Sequence, residues 1–113
     1  MHELSIVMSI VDIATKQASQ AQAHEVEQIE LEIGQLSGVE MQSFDFAWKQ
    51  GIKNSVLQKA ELVVNRPEGI GECLECHTSF HLDNLFDSCL VCGSHFIDIK
   101  KGKELRVKSL VVN

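Results

Sequence analysis

Leu4, Val7, Met8, Val11, Ala14 and Ala18 recur at steps of three and four, and Ile6, Ile10 and Ile13 widen the stripe. That period predicts an amphipathic helix at the start of the chain, with Lys16, Gln17 and Gln20 on its wet side. The stripe reads as a packing face. After a polar stretch around Gln22–His24 the period changes to two: Ile29, Leu31 and Ile33 alternate with Glu30 and Glu32, which predicts a strand with one buried face and its glutamates solvated. Gly34 ends that run. Ser37-Gly38-Val39-Glu40 has capping-box spacing, with Ser37 as N-cap of a second helix that runs to about Lys49. Met41, Phe44 and Trp48 share one face of it, and Gly51 breaks it. Leu62–Arg66 predicts a second strand, closed by Pro67. Glu68-Gly69-Ile70-Gly71 reads as a hinge, Phe96–Ile99 as a short strand, Lys101-Gly102-Lys103 as a turn, and Leu105–Val112 as the last strand. No repeats or low-complexity segments are expected.

Composition narrows the class. A chain of 113 residues suits one domain, or one plus a small module, and buries roughly two thirds of its unfolded surface. It does not need disulfides for stability. Met1-His2-Glu3-Leu4 lacks the basic start of a signal peptide, and no apolar run approaches the ~20 residues of a membrane span. A cytoplasmic protein without membrane contact is the expectation.

Against that background the four cysteines stand out, as Cys73-Leu-Glu-Cys76 and Cys89-Leu-Val-Cys92. Two tight turns, each delivering a pair of soft donors, are what a tetrahedral thiolate site requires, and no cysteine is left over. Gly93 follows the second pair at a position that favours positive φ; His77 holds the matching place after the first. In a reducing compartment this pattern reads as structural zinc in preference to two disulfides. A completed four-thiolate set leaves no open position for a water nucleophile, and no phosphate loop or nucleophile elbow appears, so catalysis is not expected.

The last strand is too apolar for a tail and too short for a core of its own. It is expected to pair with the strands at 26–33 and 61–66, which makes the cysteine module an insertion. The predicted fold is α+β: a small mixed three-stranded sheet with two helices, plus an inserted zinc-ribbon-like module. The domain boundaries are 1–67 with 100–113 for the discontinuous α/β part and 68–99 for the zinc module. Residues 1–66 carry a net charge of −4, residues 67–99 carry six acids and no Lys or Arg, and residues 100–113 carry +4. Four thiolates on zinc add a formal −2. Nucleic-acid binding depends on Lys and Arg at phosphates, so this acidic module is expected to meet a protein or a cation instead.

His2, His24, His77, His81 and His95 remain. His24 reads as a surface residue. His77, His81 and His95 lie in or beside the cysteine loop, where covering the metal turns or hydrogen-bonding the sulfurs is the simpler role. His2 differs, because the amine of Met1, the backbone nitrogen of His2 and its imidazole can close adjoining chelate rings in one plane. Planar nitrogen donors suit Ni(II) or Cu(II) and not Mg(II) or Ca(II). Glu3 adds an oxygen donor, and Glu40 is a candidate to approach in the fold. The same His2 also has an ordinary reading as a surface residue after the initiator Met.

Met1-His2-Glu3-Leu4-Ser5 opening an amphipathic helix resembles the start of the HypA/HybF family of nickel metallochaperones for [NiFe]-hydrogenase maturation. Leu31–Glu40 looks like that family's strand-to-helix stretch, the paired Cys-x-x-Cys follows at its usual place, and Lys103–Leu110 is similar to its closing strand. The match covers essentially the whole chain. The resemblance implies nickel cargo bound through His2, the Met1 amine, backbone nitrogens near His2 and Glu3, and the Glu3 side chain. It implies a supporting place for Glu40, whose position is acidic in the family. It implies zinc held by Cys73, Cys76, Cys89 and Cys92. Its partners would be the GTPase HypB and the [NiFe]-hydrogenase large-subunit precursor, with urease maturation proteins for some members. No family role is carried onto His77, His81 or His95. Two other readings stand beside it: a zinc-ribbon adaptor that binds a protein without carrying nickel, and a zinc enzyme with an open Cys/His site.

Overall fold

The computed structural model describes residues 2–113. Helix α1 spans Glu3–Gln20, strand β1 Val26–Ile33, helix α2 Met41–Gly51, β2 Glu61–Asn65, β3 Ile70–Cys73, β4 Ser79–His81, β5 Ile97–Lys101 and β6 Leu105–Val112. Two three-stranded sheets form, in the orders β2-β1-β6 and β4-β3-β5. In the first sheet the last strand lies beside β1 only, so β1 is central and β6 does not touch β2 as expected. The bonds Asn113 N to Glu25 O and Gly34 N to Glu104 O set β1 and β6 antiparallel. Val26 N donates to Val56 O and Gln35 N to Pro67 O, so the chain on the other side runs parallel to β1. That parallel connection passes through α2, which is long enough to serve as a crossover.

The chain divides into two compact units. One takes in the chain through Leu31, Val39–Val64 and Val107–Asn113; the other takes in Glu32–Gly38 and Asn65–Arg106. The expected 68–99 module lies inside the second. In the first unit Val7, Ile10, Ala14 and Ala18 of α1 are buried, as are Val26, Ile29 and Leu31 of β1 and Phe44, Ala47 and Trp48 of α2. The Phe44 and Trp48 rings stack one turn apart, with centroids 5.9 Å apart. The expected stripe on α1 is narrower than its apolar residues suggest: Leu4, Met8 and Ile13 are each about half exposed. A helix that packs one face buries a single row at 3.6-residue spacing, and these three lie off it.

Three local expectations are corrected. Ser37 does not cap α2; the N-cap is Glu40, whose carboxylate accepts from Ser43 N at 2.5 Å. Gly51 does not break α2 but is its last residue, where a Cβ would stand 2.6 Å from Val7 Cγ1, so glycine is there to let α1 and α2 approach. The Gly69/Gly71 stretch is no hinge. Gly71 lies in β3, a Cβ on Gly69 would meet Leu82 O at 2.5 Å, and Gly102, at φ 113°, would meet Gly69 Cα at 2.6 Å. These glycines mark tightly packed backbone.

Candidate metal centre

Two turns of the same construction carry the cysteines. Cys73 N donates to Thr78 O at 2.9 Å and His77 N to Cys73 O at 2.9 Å; Cys89 N donates to Ser94 O at 2.8 Å and Gly93 N to Cys89 O at 3.0 Å. Amides also point at sulfur: Cys76 N to Cys73 Sγ and Val91 N to Cys89 Sγ, each at 3.4 Å. Both turns close on a left-handed residue, His77 at φ 62° and Gly93 at φ 77°. Glycine adopts that conformation freely and histidine with strain. The sequence carries the matching signal, Cys-Leu-x-Cys-x-Thr/Ser, at 73–78 and 89–94. It is a six-residue repeat that the expectation of no repeats passed over, and with it the roles of Thr78 and Ser94.

The four sulfurs lie within 4.8 Å of one another, the one group of three or more metal-ligating side chains among the described residues. Cys73 Sγ is 3.5 Å from Cys92 Sγ and Cys76 Sγ is 3.6 Å from Cys89 Sγ. A disulfide needs about 2.05 Å, and all four cysteines are free. Tetrahedral zinc with Zn–S near 2.3 Å places its sulfurs about 3.8 Å apart. The cluster fits a tetrahedral ion and does not fit disulfides.

Electrostatics point the same way. The Cys76 amide lowers the Cys73 thiol; Thr78, 3.2 Å away through its hydroxyl, lowers Cys76; and the Cys92 amide lowers Cys89. Cys92 goes in the opposite direction. The Ser94 amide pulls it down, but the sulfurs of Cys73, Cys76 and Cys89 together with burial push it up to about 12. Charge crowded into so small a volume holds the last proton unless a cation takes its place.

The histidines near the cluster are not part of it. His81 Nδ1 pairs with Asp83 Oδ1 at 3.3 Å, and His77 contributes its backbone to the first turn.

At the other candidate site, Met1 lies outside the described residues. His2 is exposed, immediately before α1, and its carbonyl accepts from Ile6 N at 3.2 Å. Glu3 Oε2 accepts from Glu40 N at 3.2 Å, so the start of α1 and the start of α2 are joined. The Glu40 carboxylate itself turns back to Ser43, whose amide holds its pKa below the ordinary carboxylate value. Glu3 and Glu40 are therefore neighbours, but they and His2 do not gather as a metal-ligating group among the described residues.

With this geometry in hand, the comparisons with known proteins are consistent from end to end. A family model described as "Hydrogenase/urease nickel incorporation, metallochaperone, hypA" matches residues 1–112. A hydrogenase maturation factor HypA of Parabacteroides distasonis is 51% identical over 112 residues, covering 99% of this chain and 97% of that protein. The HypA of Francisella philomiragia is 39% identical, with both chains covered in full. The solution structure of the Ni metallochaperone HypA from Helicobacter pylori superposes with a TM-score of 0.71 at 29% identity, covering 99% of this chain and 97% of that one. The chain belongs to the HypA family of metallochaperones for nickel incorporation, a hydrogenase maturation family that is not enzymatic.

Proposed function

We propose that this protein carries Ni(II) at its N-terminus and passes it, with the GTPase HypB as partner, to the [NiFe]-hydrogenase large-subunit precursor. The observation that carries the reading is the family match along residues 1–112, which includes the Met1-His2-Glu3 start. The donors are the Met1 amine, the backbone nitrogens near His2 and Glu3, the His2 imidazole and the Glu3 carboxylate. An exposed His2 suits cargo that must be given up as well as bound. We assign Glu40 to the helix start, where its carboxylate caps α2 through Ser43, and keep Glu3 as the oxygen donor because it adjoins His2, with Oε1 turned to the metal while Oε2 accepts from Glu40 N.

Cys73, Cys76, Cys89 and Cys92 hold structural Zn(II). Thiolate donors at this spacing select zinc over the nitrogen-preferring nickel cargo, and the metal neutralises the charge that otherwise holds the Cys92 proton. The α/β part, 1–67 with 100–113, then serves nickel, and 68–99 serves zinc. The setting is cytoplasmic, and among the described residues no helix is long and apolar enough to cross a membrane. Urease maturation proteins are a second class of client machinery, in keeping with the family description.

Calorimetry on His2→Ala tests this. Nickel binding is expected to vanish while zinc content and fold are kept; unchanged nickel affinity would refute the assignment and leave the zinc-ribbon adaptor as the better reading. Because the donors bind nickel deprotonated, affinity is expected to fall on acidification.

A further inference from the structure

The four-cysteine turns carry more exposed apolar surface than a metal site needs. Leu74, Leu90 and Val91 occupy the x positions of the two Cys-x-x-Cys turns, and Phe86 lies in the loop between them. Their exposures are 55% for Leu74, 90% for Phe86, 80% for Leu90 and 70% for Val91. Isolated exposed apolar residues are ordinary, but several carried on one small turn pair mark a contact face. Beside them is a surface pocket of 280 Å³ lined by Phe80, His81, Asp83, Asp87, Ser88 and Leu90. Its walls include an aromatic ring and a leucine, and two of its four polar residues, Asp83 and Asp87, are anionic. Asp83 is exposed and pairs with His81 at 3.3 Å. Asp87 Oδ2 accepts from the amides of Asp83 and Asn84 at 3.2 and 3.1 Å, which fixes the carboxylate in place. Its other oxygen keeps its lone pairs.

A pocket of mixed lining, with Phe80 and Leu90 beside Asp83 and the fixed carboxylate of Asp87, matches one kind of side chain: a long aliphatic stem with a cationic head. The surroundings favour the same choice: residues 67–99 hold six acids and no Lys or Arg, and although Lys100 pairs with Asp98 at 2.7 Å and Glu72 at 3.7 Å, no Lys or Arg lines the pocket. Such a field attracts a basic segment and repels both phosphate backbones and anionic lipid. We propose that this face docks a basic, apolar polypeptide segment of a partner protein. An arginine or lysine enters between Phe80 and Leu90 toward Asp83 and Asp87, and apolar neighbours of that residue cover Leu90, Val91 and Phe86. The proposal is independent of where nickel binds.

The test uses the zinc-loaded full chain, without nickel, labelled for amide NMR. The probes are two capped hexapeptides, Leu-Arg-Leu-Leu-Arg-Leu and Leu-Glu-Leu-Leu-Glu-Leu, and vesicles of phosphatidylcholine with phosphatidylglycerol. The arginine peptide is expected to shift amides within 80–92, and the glutamate peptide is not. Asp83→Asn and Leu90→Ser, both at exposed positions, are each expected to weaken the arginine peptide by about tenfold while the remaining spectrum stays in place. Equal shifts from both peptides, shifts centred elsewhere, no shifts at millimolar peptide, or unchanged affinity in both variants would overturn the proposal. So would co-sedimentation with the vesicles, or self-association that Leu90→Ser abolishes, which would make a second copy of the chain the occupant.

Discussion

Glu40 ends the extended run into α2 and takes the Ser43 amide on its carboxylate. Capping favours the charged form, which is why its pKa is lowered, chiefly by the Ser43 backbone hydrogen bond. Stability from a lowered carboxylate is present above the unfolded pKa and lost as pH falls through the folded one. Glu40→Ala is therefore expected to melt earlier than the parent at neutral pH, and the gap is expected to close in acid below the ordinary carboxylate range, followed by circular dichroism. An equal gap at all pH values would mean that Glu40 acts through packing. Glu40→Gln is expected to leave nickel stoichiometry unchanged, because Glu40 belongs to the helix. The sequence did carry a capping signal, but it pointed to Ser37, a preferred N-cap, with Glu40 three residues inside the helix; glutamate is not a preferred N-cap, so only the tertiary path of the chain puts the helix start at Glu40.

Elements were legible wherever one period dominated. The three-four rhythm of α1 and the alternation in β1 gave type and position, and β6 was read to the residue. What alternation does not reveal is the partner across the sheet. Glu30 and Glu32 were expected to be solvated, yet Glu32 lies against Arg106 and is only 15% exposed, while Glu30 takes Ser109 Oγ at 3.1 Å and Lys108 Nζ at 3.8 Å. The basic charge of the last segment is thus spent partly on β1, a cross-strand match that needs the register of two strands some 70–80 positions apart in sequence. Glycines mislead for a related reason, since a chain break and a close approach demand the same residue. Gly51→Ala separates these. Added helix propensity would stabilise by up to about 1 kcal/mol, whereas overpacking against buried Val7 costs about 1–3 kcal/mol. With the added carbon 2.6 Å from Val7 Cγ1, the clash wins, and urea denaturation is expected to show net loss of stability. A gain would mean that α1 and α2 can move apart freely.

For the whole molecule, the cysteine spacing was the most legible feature, because it encodes local turns whose geometry repeats at 73–78 and 89–94. The charge balance among the sulfurs was not legible, since it arises only once the two turns meet. Cys73→Ala is expected to lose zinc and the amide protection of residues 70–98 while α1 and α2 persist, as read by hydrogen exchange. Collapse of the helices as well would show that the two compact units do not stand separately. The nickel site is the reverse case: it was proposed from a motif and a family likeness, at a chain start where His2 is exposed. In that proposal the defining donor is the free amine ahead of His2, so acetylating that amine removes the chelate without touching the His2 or Glu3 side chain. Nickel titration of the untagged protein against its N-terminally acetylated form is the most direct measurement. Tight binding by the first and at least a hundredfold loss in the second is expected. Equal affinity in the two would contradict nickel carriage at the N-terminus.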